Sequence, residues 1–167
     1  MSALDPMVAL RQAHEVGIKK LELLSATVSI LDSGSGQAAL DALSEVLQFF
    51  DGELRVHFRH EEEALFPALQ KVIGREGPIM AMLAEHQSLW RAVDAMKDKI
   101  ELLDTGSTDD RLKRTREVAR VADHIVGLLG SHINKEDSML FPMAEDSLSA
   151  ATMQEVAQQM MAVGRAA

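Results

Sequence analysis

The 167-residue chain contains no cysteine and no tyrosine, a single tryptophan, and only four prolines and ten glycines. Without cysteine it forms no disulfide, holds no thiolate-bound metal, and carries no iron–sulfur cluster on its own side chains. A reducing cytoplasm suits such a composition, and that is the expected location. Basic residues are also outnumbered: 17 Lys and Arg face 26 Asp and Glu, for a formal charge of -9. That balance argues against nucleic acid and anionic membranes as partners. No apolar run approaches the length needed to span a bilayer. The opening residues, MSALDPMVAL, lack a basic stretch followed by an apolar one, so no signal peptide is expected. Alternating apolar–polar runs are missing too, which removes the usual signature of a β-strand.

What remains is helical. Hydrophobic residues make up 47% of the chain, enough for one globular core, and residues 1–167 are expected to form one domain. Asp5-Pro6 reads as an N-cap followed by proline at the first helical position. From there Met7, Leu10, His14, Gly17, Leu21, Leu24, Val28 and Leu31 recur every three or four residues, and DSGSG ends the run. A second helix is predicted from Gln37 to Leu65, with Leu40, Leu43, Leu47, Phe50, Leu54, His57, Glu61 and Leu65 on one face and a bend at Asp51-Gly52. After VIGREGP, a third helix starts at Pro78 and carries Ile79, Met82, His86, Leu89, Val93, Met96, Ile100 and Leu103. DTGST closes it, and a fourth, Thr108 to Leu140, carries Val118, Val121, Ile125, Leu128, His132, Glu136 and Met139. A shorter helix is expected near Ser149–Val163. The prediction is an all-α, antiparallel, up-down-up-down four-helix bundle over residues of about 6–142, with a C-terminal helix at about 147–164.

Two segments share a pattern. HFRHEEEALFP and HINKEDSMLFP match at His57/His132, Glu61/Glu136, Leu65/Leu140, Phe66/Phe141 and Pro67/Pro142. Each of the four helices therefore places one histidine on its apolar stripe: His14, His57, His86 and His132. Glu61 and Glu136 lie one turn beyond a histidine and face the same way. Two carboxylates buried without partners would cost several kcal/mol each. One His-x-x-x-Glu on a helix is ordinarily a surface pair; six such residues on four core faces are not. Four imidazoles and two carboxylates around one volume suit two first-row metal ions bridged by the carboxylates, iron or manganese rather than zinc. Glu62, Glu63 and Asp137 fall off the stripes and read as solvated. His60 reads as exposed or just behind the metal ligands, and His124 as a core-edge or surface residue.

These segments resemble the hemerythrin-like, or HHE, di-iron domains, over residues of about 8–142. The resemblance rests on His14 in QAHEVG, His57 and Glu61 in HFRHEEEALFP, His86 in AEHQSLW, and His132 and Glu136 in HINKEDSMLFP. It implies two irons with a bridging oxide or hydroxide, His14 and His57 on one, His86 and His132 on the other, and Glu61 and Glu136 bridging. Oxygen-carrying hemerythrins have a second histidine on the third helix; Trp90 stands there in this chain, so a coordination position opens. They also have an aspartate one residue beyond the position of Glu136. The iron-cluster repair branch usually has a cysteine-containing N-terminal segment and an extra histidine between the first two ligands, and neither is found here. The resemblance implies binding of O2 or NO for sensing, storage or delivery. The alternatives are an enzyme acting on hydrogen peroxide or NO, and an iron-responsive regulatory module. The expected partner is a small diatomic or peroxide, and the protein itself a monomer or homodimer.

Overall fold

A computed structural model of the chain describes residues 5–31, 36–74, 76–103 and 107–165. Helix α1 spans Pro6–Ile30. Asp5 caps it as expected: one carboxylate oxygen accepts from the backbone N–H of Met7 at 2.9 Å and of Val8 at 3.4 Å. Helices α2 (Gly36–Phe49), α3 (Arg55–His60) and α4 (Phe66–Ile73) follow one another through π-helical turns at Phe50–Leu54 and Glu61–Leu65. Helix α5 is Pro78–Glu101. Helix α6, Thr108–Lys135, opens on a capping box between Ser107 and Asp110. A π-helical turn at Glu136–Leu140 joins it to α7 (Phe141–Ser147), and α8 is Ala150–Arg165. Among the described residues there is no strand. The breaks expected at DSGSG and DTGST fall largely outside the described residues.

Two expected helix ends are overturned. Neither Leu65 nor Leu140 ends a helix; the chain stays helical to Ile73 and to Ser147. Pro67 and Pro142 lack an N–H, and in an α-helix their rings would clash with the carbonyl four residues back. The wider turn before each proline relieves that clash. The backbone N–H of Phe66 bonds the carbonyl of Glu61, and that of Phe141 bonds Glu136, five residues back in both cases. The shared Leu-Phe-Pro is thus the downstream edge of a π-helical turn that begins at each inward glutamate. One core assignment is corrected: Met139, expected inward, is 42% exposed, whereas Ala64 at the matching place in the Glu61–Leu65 turn, where α8 packs, is 0% exposed.

Helix α1 packs against α2 and α6, and α5 against α6. Helix α8 lies along α3, the Glu61–Leu65 turn and α1. The core divides in two. One cluster includes Leu24, Phe50, Val93, Met96 and Ile125; the other includes Met7, Leu65, Phe66, Met82, Phe141 and Met160. Each buried side chain of this size contributes roughly 1.5–3 kcal/mol. Along each of the four long helical segments, the inward histidine falls where one cluster gives way to the other. The apolar layers thereby enclose a single polar layer.

Candidate metal centre

All six stripe residues are buried: His14, His57, His86 and His132 are at most 5% exposed, and Glu61 and Glu136 are 0% exposed. Their donor atoms form two groups, His14–His57–Glu61–Glu136 and Glu61–His86–His132–Glu136. Within each group every donor lies within 4.8 Å of the others. Both carboxylates belong to both groups, and they divide their oxygens between them. Glu61 Oε1 is 3.0 Å from His57 Nε2, and its Oε2 is 3.3 Å from His86 Nε2. Glu136 Oε2 is 3.1 Å from His14 Nε2, and its Oε1 is 3.3 Å from His132 Nε2.

These short approaches are not hydrogen bonds. The four carboxylate oxygens and the Nε2 atoms of His14 and His57 are buried with no hydrogen-bond partner. Tautomers explain why. His14 Nδ1 lies 2.9 Å from Asp137 Oδ1, His86 Nδ1 lies 2.6 Å from Glu62 Oε1, and His132 Nδ1 lies 3.0 Å from Glu85 Oε2. Each Nδ1–H donates outward to a carboxylate, which leaves the Nε2 lone pair pointing inward. The Nε2 atoms of His86 and His132 then meet at 3.1 Å, lone pair to lone pair. Such a contact repels unless a cation or a proton stands between the nitrogens. Buried lone pairs aimed at two common points fit two metal ions with N and O ligands.

Electrostatics agree. Burial pushes the imidazolium form of His14, His86 and His132 down, but the neighbouring carboxylates outweigh it and raise all three. His86, held by Glu61 and Glu62, is raised to about 9. Glu61 is held well below the usual carboxylate range: His57 and His86 outweigh the burial that opposes ionisation. The layer thus attracts positive charge, whether protons or cations.

Glu62 and Asp137 are solvated as expected, 39% and 38% exposed, but each also accepts from a histidine of the layer. They occupy matching places, one residue after Glu61 and Glu136, and that offset was the available signal. Glu85 was missed altogether; Lys135 pairs with its other carboxylate oxygen. Phe58 was missed as well. Its ring stacks on His86 at 3.6 Å and 6°, and it meets Trp90 edge-on at 5.5 Å. Glu63 does face solvent, paired with Arg59. His124 is exposed, and His60 is half-buried beside α8.

The hemerythrin HHE cation binding domain matches residues 5–144, and the six residues lie inside that span. The chain belongs to the hemerythrin HHE family. Among curated relatives it is similar to the iron-sulfur cluster repair protein YtfE of Yersinia pestis (strain Pestoides F) and of Yersinia pseudotuberculosis (serotype O:1b, strain IP 31758). Each is 30% identical over 104 residues, 61% of this chain and 44% of the relative. The match thus spans less than half the length of those relatives. Within the hemerythrin HHE frame, the absence of a second histidine on α5 has a structural counterpart. Trp90 packs on Phe58 and lies under the Arg55 guanidinium at 4.5 Å.

Proposed function

We propose that this hemerythrin HHE protein holds two iron ions and binds O2 or NO for sensing, storage or delivery. His14 and His57 would hold one ion, and His86 and His132 the other. Glu61 and Glu136 would bridge them, with one oxygen each per ion, and an oxide or hydroxide would complete the pair. The observation that supports this most is the division of each carboxylate's oxygens between two histidine pairs whose lone pairs converge. Manganese satisfies the same donor set. The bound pair would supply reversible electron transfer to a small ligand at an open position. The protein's own part is to orient. Asp137, Glu62 and Glu85 hold three imidazoles in the metal-binding tautomer, and Phe58 and Phe141 pack two of the rings in place.

On this reading residues of about 6–142 form an up-down-up-down bundle carrying the site in its middle, closed on one side by the C-terminal helix. Among the described residues no helix is long and apolar enough to cross a membrane, and we place the protein in the cytoplasm. A second reading is an enzyme that consumes hydrogen peroxide or NO. The similarity to proteins named for iron-sulfur cluster repair favours it. Metal content per chain, followed by absorbance of the reduced protein under anaerobic addition of O2 or NO, distinguishes them. Two irons with a reversible ligand-dependent band support binding. Sustained consumption of peroxide or NO supports the enzyme. Failure to take up iron or manganese overturns both.

A further inference from the structure

A second feature lies beside the metal layer. A cavity of about 690 Å³ opens between α1, α3 and α8. Leu10 and Ala13 of α1, Val56 of α3, and Ala157, Met160 and Met161 of α8 supply its apolar walls. A diatomic ligand occupies a volume on the order of one water molecule, roughly 30 Å³. The cavity instead falls in the range of sites for organic molecules, about 300–1,000 Å³.

Its polar lining is His57 and His60, with the exposed Glu53 and Gln158. His57 is 5% exposed, and its Nδ1 is buried without a partner, as is His60 Nε2. This is where the two halves of the chain differ. In the second half, Glu85 precedes His86 and takes the Nδ1 of His132. In the first half, Ala13 precedes His14, lines the cavity, and leaves His57 Nδ1 with nothing to bond. A hydroxyl group both donates and accepts, so it satisfies two imidazole nitrogens in whichever tautomers they adopt. A carboxylate cannot donate, and it would enter past Glu53 into a chain of net charge -9.

We propose that this cavity binds a neutral, apolar molecule bearing one hydroxyl group, the hydroxyl lying between His57 Nδ1 and His60 Nε2 and the hydrocarbon part against α8. The assignment goes beyond diatomic binding and holds for iron or manganese in the metal layer.

The probe is 1-decanol, titrated calorimetrically into the metal-loaded full chain, with decanoate in parallel and metal content measured throughout. Two variants act from different helices. A Cβ built at Gly164 lies 3.9 Å from His60 Nε2 with nothing nearer, so Gly164→Leu fills the cavity without straining α8. Ala13→Glu places a carboxylate where the second half of the chain has Glu85. We expect saturable binding of one 1-decanol per chain and at least tenfold weaker binding of decanoate. Each variant should weaken 1-decanol at least tenfold while keeping wild-type metal content. The proposal is overturned if the wild type shows no saturable binding, if decanoate binds as well as 1-decanol, or if either folded variant binds like the wild type.

Discussion

Glu62 and Asp137 hold positions one residue after Glu61 and Glu136, and each reaches across to a histidine from the other half of the chain: Glu62 to His86, Asp137 to His14. A neighbouring residue on a helix is turned by about 100°, so these carboxylates leave the inward stripe and meet the imidazoles from outside. They remain more than one-third exposed and form no part of the donor groups. Removing their charge should leave the fold intact and loosen the tautomer they enforce. Glu62→Gln and Asp137→Asn are each expected to weaken metal affinity about 10–100-fold in competition with a chelator. Glu63→Gln, which loses only an exposed pair with Arg59, should leave affinity unchanged. Equal affinities for all three variants would remove the orienting role.

At the scale of elements, the π-helical turns set the register in which the site is built. The two that begin at Glu61 and Glu136 each end two residues before a proline. Elsewhere the long helices carry glycines that packing does not require. Gly127 lies inside α6, and a Cβ there would meet nothing within 4 Å. Gly127→Ala should raise the free energy of unfolding by about 0.5–1 kcal/mol, because glycine loses more backbone freedom in a helix. Urea denaturation checks it, and a lower midpoint would contradict the open space seen at that position. Gly17 differs, since its Cβ would rest 3.5 Å from Ile133 and 3.8 Å from Phe49. There alanine fits, and a larger side chain would press on both neighbours.

For the whole molecule, the polar layer makes stability depend on what neutralises it. Stripped of metal, the buried carboxylates are balanced by protonated imidazoles. The pKa of His86 rises from 6.5 to about 9 in the folded protein, so its contribution is fully present below pH 6.5 and is lost as pH climbs through 9. Glu61 runs the other way: its folded pKa is depressed, so its contribution is present above the ordinary carboxylate range and fades as pH falls. The melting temperature of chelator-treated protein should therefore fall between about pH 6.5 and 9. Metal-loaded protein should melt higher and show little of that alkaline decline, since metal occupies the nitrogens that would lose protons. A stripped protein that melts at the same temperature as the loaded one would show that the layer holds no structural metal.

Period and spacing alone determined the helical class, the N-cap at Asp5, and the stripe residues His14, His57, His86, His132, Glu61 and Glu136. Those properties are local: a helix repeats every 3.6 residues, and an apolar face interrupted by charge is visible in one dimension. Tertiary structure decided the rest. Only packing shows that each glutamate turns one oxygen to each histidine pair, and that Glu62, Glu85 and Asp137 reach imidazoles on other helices, across separations of 24, 47 and 123 residues. Only packing shows that Ala13 leaves His57 facing a cavity beneath α8. Contacts between distant segments depend on how helices meet, and a helical period carries information about one helix at a time.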